Sequence, residues 1–576
     1  MRVFSIRAAI GRAAIGGAAL GAFCAGQLAG CTSPPLGSAH GAPNATTAVG
    51  AAAKTTAALK ADIATIVVIY AENRSFDNLY GNFPGAQGLG EVVDAEGRPL
   101  GSYHAQRDRD GSLLVTLPQT WGGVTAAGYR PVITQAESAG LPNAPFSIEH
   151  AFTAQSGVTL SSSAVTRDLY HRFFEHQMQI DGGKNDQYAA WSDAGGLTMG
   201  HYDTQTSALS ALARQYVLAD HFFQGAFGGS YLNHQYLICA CAPEYPHADT
   251  AAAKPSLTVL DRDDAGRYLP RLTTAKNSPV SALDGPPRFV KSGNIAPVNY
   301  FGDGSFHAIN TMQPPYQPSG NAPAADDAGG NYADPANPTT LPPQSTSTIG
   351  DRLSERGIEW RWYSGSWDAA LADGRQPAAH ARAVIYAPDT PGGSPDFQPH
   401  HQPFNYYARF DPLTAGAERA RHLKDFEALE SDIAAGRLPP VVFYKPQGNL
   451  NQHPGYASIA AGDAHIAALV AKLKASAQWP HMLIVITYDE FGGSWDHVAP
   501  PRADLLGPGA RIPAIIISPF AKQGVVDHTP YDTGSIQRLI SRRFDLADLP
   551  GIVQRDRELA LHGEPPMGDL TGALAF

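Results

Sequence analysis

Cysteine is nearly absent, with four in 576 residues. That scarcity excludes a disulfide-built scaffold and leaves a chain of this length to be held by a large apolar core. Cys24 and Cys31 fall in the N-terminal leader. Cys239 and Cys241 stand two apart, a spacing that rarely gives an unstrained bridge, so they read as buried thiols rather than a disulfide or a metal site. Positive charge is also short, with 42 Lys and Arg against 53 Asp and Glu and a net charge of -11. Removal of the leader takes away Arg2, Arg7 and Arg12 and no acid, which moves -11 to -14. A chain so charged, without a basic patch, is repelled by nucleic acid and by anionic lipid surfaces, and neither is expected as a partner. The Ala/Gly/Leu stretch of the leader, ending near Phe23, is too short and glycine-rich for a stable membrane span.

Arginines followed by that apolar stretch have the layout of a secretory signal. Leu28-Ala29-Gly30-Cys31 resembles a bacterial lipobox, in which the cysteine is lipidated and becomes the first mature residue; the plain alternative is an ordinary signal peptide cut nearby. Thr32 in place of Asp after that cysteine implies the outer membrane. The expected organisation is a lipoprotein signal peptide over residues 1–30, a flexible Ala/Gly/Thr tether over 31–60, and one domain over 61–576. Gly (58) and Pro (46) concentrate in long loop insertions at about 85–134 and 243–345, the second read as a lid or wall.

The domain is expected to begin with a strand. Ile66 to Tyr70 is an unbroken apolar, β-branched run suited to burial on both faces of a parallel sheet, and Glu72 and Asn73 follow it at once. Ligands collect at the carboxyl ends of such strands, where these two would offer hard oxygen donors to a divalent cation. Equally, Asn73 or Ser75 caps the next helix.

Further strands are expected at Val217–Asp220, Ile358–Tyr363, Val441–Tyr444, Met482–Thr487 and Ala514–Ile517. Helical stripes lie between them: Leu209 to Tyr216, Leu423 to Ile433, Ile466 to Leu473 behind an Asp463 cap, and Ile536 to Phe544. Tyr170 to His176 is also helically spaced. Strands alternating with helices predict an α/β fold, a mainly parallel sheet sandwiched between helices. Polar residues gather after strands in Asn449, Asn451 and His453, and in Asp489, Glu490, Asp496 and His497. Gly228-Gly229-Ser230 opens a helix where an anion can approach, although Gly-Gly-Ser more often marks a flexible turn. His400 and His401 stand together in a loop.

Taken together, Glu72-Asn73-Arg74-Ser75-Phe76-Asp77, Gly229-Ser230 with Asn233-His234, His400-His401, His453-Pro454-Gly455-Tyr456, and Tyr488-Asp489-Glu490 with Asp496-His497 resemble the bacterial phosphoesterase family. It contains AcpA-type acid phosphatases and bacterial phospholipases C, within the alkaline phosphatase-like superfamily. The resemblance runs from about Ile63 to Leu546. It implies one divalent metal ion, with Ca, Mg and Zn all open, held by Glu72, Asn73, Asp489 and Glu490, with Ser230 as nucleophile and bridging ligand. Glu490 departs from the acid phosphatase pattern, which has a second Asp there. Ser230, one residue ahead of Leu232-Asn233-His234, looks like the acid phosphatase branch, the phospholipases having Thr at the nucleophile.

The function so implied is acid phosphatase activity on small phosphomonoesters through a phosphoseryl intermediate. A phospholipase C is the alternative enzyme, and a surface lipoprotein that binds phosphorylated ligands is the non-enzyme alternative. His400, His401 and His453 are candidates to donate to phosphoryl oxygens or protonate the leaving alkoxide, which would favour acidic pH. For any one of them a structural hydrogen-bonding role is as good a reading.

Overall fold

In a computed structural model of the protein the described residues are 45–252, 257, 260–290, 297–310, 312–387 and 396–576. The leader, Cys31 and the first part of the expected tether lie outside them. Residues up to Ala51 form one unit and Ala52–Phe576 another.

The second unit is organised by a sheet of eight strands. In chain order these are β1 (Thr65–Ala71), β2 (Val217–Ala219), β3 (Trp360–Ser364), β4 (Leu423–Asp425), β5 (Val441–Lys445), β6 (Met482–Tyr488), β7 (Ala514–Ile517) and β8 (Val525–Asp527). Their spatial order is β8-β2-β7-β6-β1-β5-β3-β4. Only β7 runs antiparallel, to both β2 and β6; the other pairings are parallel. β1, β5 and β6 lie at the centre and every residue in them is buried, which explains why they read as continuous apolar runs rather than alternating ones. Each Val or Ile so buried contributes about 1.5–3 kcal/mol, so the centre of the sheet is the most secure platform in the fold.

Helices pack along the sheet, among them Ala208–Gln215 against β2 and β7, and Phe426–Ala434 against β3 and β4. Their ends follow local chemistry. Ser75 caps Phe76–Tyr80, its side chain accepting from Asn78 N, so the cap reading at that site holds for Ser75. Thr348 and Asp351 form a capping box on Ile349–Glu355. Asp463 does not start its own helix, which runs Ile459–Ala475 behind Ser458. Its carboxylate instead accepts from Ala208 N and Leu209 N, each at 2.9 Å, and so caps a helix distant in sequence.

Four further expectations differ. An α-helix runs Ala45–Asp62 where a tether was expected. Ala and Lys are strong helix formers, Leu59 is fully buried, and Lys60 pairs with Asp545 at 2.6 Å, so tertiary contact completes what propensity begins. Leu423 lies in β4, because Asp425 accepts from Phe426 N and starts the helix only there. The helix expected around Tyr170–His176 runs Phe173–Ile180, leaving His171 and Arg172 ahead of it. Cys239 and Cys241 are joined in a disulfide: Ala240 adopts the left-handed conformation at φ 50, which turns the chain so that the two Cα atoms come within 5.1 Å. No helix among the described residues is long and apolar enough to cross a membrane.

Candidate active site

Neighbouring strands deliver the acids. β1 and β6 are in parallel register with Ala71 beside Tyr488, so Glu72–Asn73 and Asp489–Glu490 emerge together at the carboxyl edge. Asn73 then takes the left-handed conformation at φ 61, which Asn tolerates better than most residues. The bend points its N–H at Asp489 Oδ1, 3.0 Å away, and Arg74 N binds Glu490 O at 2.9 Å. The two acidic corners are thereby locked to each other.

Ser230 is the first residue of the helix Ser230–Cys239 and only 3% exposed. Its hydroxyl lies 3.1 Å from Asn73 Oδ1 and 3.2 Å from Glu490 Oε1. Two glycines permit the approach. A Cβ on Gly228 (φ +82) would stand 2.4 Å from Phe173 N, and one on Gly229 would stand 2.8 Å from His171 O. The turn is therefore pressed against the His171–Phe173 backbone, and the free N–H groups of a helix start face the region of the hydroxyl, an arrangement suited to an anion.

Asp489, Glu490, Asn73 and Ser230 thus lie together at the carboxyl edge of the sheet. Burial, and then the nearby charge of Glu72, raises Asp489 to about 8. Burial and then Asp489 raise Glu490 well above the usual range. Asp489 Oδ2 and His234 Nε2 are buried with no hydrogen-bond partner, and His234 Nδ1 lies 3.6 Å from that oxygen. Crowded carboxylates and an unused buried oxygen are what a hard divalent cation would satisfy, so these residues fit one. His234 Nδ1 donates to Ser230 O at 2.8 Å, which leaves Nε2 as a lone pair.

Glu72 is placed differently. Its Oε1 receives His401 Nε2 at 3.0 Å and His400 Nε2 at 3.3 Å. Its Oε2 meets Lys445 Nζ at 3.3 Å, Tyr456 OH at 3.3 Å and the Asn451 amide. Burial pushes this carboxyl up, but Lys445, His401 and His400 together hold it well below the ordinary range. His400 and His401 therefore donate to Glu72 rather than aiming at Ser230. The expectation of protonated histidines also meets a physical obstacle, because burial lowers His400 and His453, His401 to about 3 and His171 to about 4.

His171 was not singled out from sequence, since its apolar neighbours suggested a helix interior. Its Nε2 lies 3.4 Å from Asn73 Nδ2 and 3.6 Å from Glu490 Oε1, and its ring meets His453 edge-on with centroids 5.9 Å apart. His171 Nδ1 donates to Leu169 O at 2.5 Å and His453 Nδ1 to Pro454 O, so both neutral rings keep Nε2 as an acceptor. Lys445 was missed as well, one residue past an apolar strand, where nothing local marks it. The Asp496–His497 motif joins Asp77 and Arg511 instead of the Ser230 cluster: His497 Nδ1 is 2.6 Å from Asp77 Oδ2, and Arg511 reaches Asp77 at 3.0 Å and Asp496 at 3.1 Å. A guanidinium already balances those acids.

A cleft of about 560 Å³ adjoins the turn that carries Ser230, bounded by Gly229, His171, Tyr170, Arg172, Leu232 and Met312 among others. Ile309 and Met312 bring the 243–345 insertion to its wall, and Asn310 Oδ1 accepts from Phe173 N at 3.0 Å.

Phospholipase C B of Mycobacterium tuberculosis is 26% identical over 250 residues, covering 39% of this chain and 42% of that protein. Non-specific phospholipase C1 of Arabidopsis thaliana is 31% identical over 182 residues, covering 25% of this chain and 34% of that protein. The chain thus spans less than half the length of these relatives. Among solved structures, the phosphonate monoester hydrolase of Silicibacter pomeroyi aligns with a TM-score of 0.26 at 13% identity, over 62% of this chain and 72% of that one. The phosphoesterase family model matches residues 63–547. The chain belongs to the phosphoesterase family.

Proposed function

We propose that the protein is a metal-dependent phosphoric ester hydrolase that cleaves small phosphomonoesters through Ser230. The observation that carries this is the meeting of Ser230 Oγ with Asn73 Oδ1 and Glu490 Oε1 at 3.1 and 3.2 Å at a helix start. A divalent cation held by Asn73, Asp489, Glu490 and Ser230 would favour the seryl alkoxide and neutralise charge on the phosphoryl oxygens. Ser230 Oγ forms the new O–P bond as the ester O–P bond breaks, and the leaving alkoxide takes up a proton. Backbone N–H groups at the start of the Ser230 helix orient the phosphoryl oxygens. Water then attacks phosphorus, giving its proton to Nε2 of His453 or His171, the P–O bond to Ser230 breaks, and Ser230 is regenerated. Glu72, held by Lys445, His400 and His401, supplies fixed negative charge behind Asp489. Because the histidines are buried and neutral, this scheme requires no protonated histidine and instead needs the accepting ring to be unprotonated.

The second reading is a phospholipase C, favoured by the names of the relatives in M. tuberculosis and A. thaliana. Serine rather than threonine at position 230 supports the monoesterase. The test is turnover of phenyl phosphate and of phosphatidylcholine vesicles by the metal-loaded protein, with acid-quench trapping of phosphoserine. Faster hydrolysis of the vesicles would replace the first reading with the second, and binding of phosphate without turnover of either would leave a binding protein. We also propose export with a lipid anchor at Cys31, which membrane fractionation of wild type and Cys31→Ser would test.

A further inference from the structure

The cleft beside Ser230 contains a cation that the proposed reaction does not use. Of its two arginines, Arg167 is engaged: Nη2 lies 2.8 Å from Asp193 Oδ2, Nε donates to Asp168 O at 3.2 Å, and Nη1 meets Trp121 O. Arg172 is exposed and, among the described residues, forms no ion pair; its guanidinium carbon stands 5.9 Å from the centre of the Tyr170 ring. It precedes the helix Phe173–Ile180 without a side-chain cap hydrogen bond, so the helix does not need its side chain.

Acids near the cleft do not claim it. Asp193 serves Arg167 and accepts from Tyr170 N at 2.8 Å, while Asp168 leans toward His171, with Oδ1 3.6 Å from Nδ1. The backbone that carries Arg172 lies against the nucleophile's turn, a Cβ on Gly228 falling 2.8 Å from Arg172 C. Leu232, Ile309 and Met312 give the same cleft an apolar wall, Met312 remaining 44% exposed.

An unpaired guanidinium and an apolar wall, both next to the turn that attacks phosphorus, define a pocket for the alcohol half of the ester. Resting on the monoesterase reading above, we propose that this cleft is a leaving-group subsite in which Arg172 selects phosphomonoesters whose alcohol bears a second anionic group on an apolar or aromatic body. A guanidinium suits a carboxylate or phosphate because its planar donors can bind two oxygens at once.

The experiment compares kcat/KM for 4-carboxyphenyl, 3-carboxyphenyl and unsubstituted phenyl phosphate in wild type, Arg172→Ala and Arg172→Lys, all metal-loaded and at one pH. Wild type should prefer at least one carboxylated ester by roughly tenfold, mainly through KM. Arg172→Ala should abolish that preference, read as the ratio of kcat/KM for the carboxylated ester to that for phenyl phosphate in the same variant, and Arg172→Lys should recover part of it. Any effect of the lost charge on His171 is common to all three esters and cancels in the ratio. Absence of preference in wild type, or a preference that survives in Arg172→Ala, would overturn the subsite. Failure of every monoester alongside hydrolysis of phosphatidylcholine vesicles would instead overturn the monoesterase reading itself.

Discussion

Lys445 Nζ lies 3.3 Å from Glu72 Oε2, and both side chains are wholly buried. They come from the ends of adjacent central strands, β5 and β1, and the ammonium offsets a carboxylate that would otherwise stand beside Asp489 without compensation. Breaking a buried pair by removing one partner leaves a charge in a medium that cannot solvate it, at a cost of about 3–5 kcal/mol. Lys445→Met should therefore lower stability by that amount in urea unfolding, and Lys445→Met with Glu72→Gln should recover much of it. Equal stability of the single and double variants would show that the pair is not the source of the loss.

Ser230→Ala should leave the unfolding midpoint within about 1 kcal/mol of wild type, since it removes one small hydroxyl from a helix start. Turnover should fall by roughly three orders of magnitude or more, as expected for loss of a nucleophile. Retention of a tenth of the wild-type rate would transfer the role to another group.

Removal of metal should make stability depend on pH in a defined sense. Asp489, raised by burial and then by Glu72 to about 8, prefers its protonated form when folded, whereas the unfolded chain ionises it near ~3.9. Chelated protein should thus lose stability as pH rises from about 4 to 8, because folding then opposes ionisation. Asp489→Asn should flatten that slope, and a divalent ion should restore stability to wild type but not to the variant. A chelated wild type with no slope in this window would refute the crowding of these acids.

His497 should act in the opposite sense. Burial, the largest single influence, would lower it, but the charge and hydrogen bond of Asp77 together with the charge of Asp496 outweigh burial and raise it to about 9. Its stabilisation is then fully present below the unfolded value of ~6.5 and lost as pH rises through about 9, amounting to about 2–3 kcal/mol. Urea midpoints between pH 6 and pH 10 should fall for wild type and change less for His497→Gln, measured with metal present so that Asp489 does not contribute. Parallel profiles for the two proteins would remove the Asp77–His497 pair as the cause.

Loss of the Asp463 cap should be modest and local. Asp463→Ala leaves Ala208 N and Leu209 N without their acceptor, at a cost of about 1 kcal/mol. Amide exchange should accelerate in Ala208–Gln215 more than in Ile459–Ala475. Faster exchange confined to the helix that contains Asp463 would argue against capping across the fold.

What the sequence determined by itself was chiefly the sheet and the acids at its edge. Continuous apolar runs at Ile66–Tyr70, Val441–Tyr444 and Met482–Thr487 specify buried parallel strands, and residues just past their ends must lie where ligands collect. Glu72, Asn73, Asp489 and Glu490 were placed at that edge for that reason, whereas their role as ligands and that of Ser230 as nucleophile came only from the family resemblance, since two glycines before a serine read by themselves as a flexible turn. Tertiary structure decided what each of them touches. Strand order places Lys445 against Glu72, a relation between residues 373 positions apart that carries no local pattern. The Gly228–Gly229 approach brings His171 beside Asn73, although its own segment suggested a helix interior. The left-handed turn at Ala240 joined two cysteines whose spacing argued against it. Burial, which exists only once the layers close, lowers His171, His401 and His453 and raises Asp489 and Glu490, so the electrostatics of the site belong to the fold rather than to the residues.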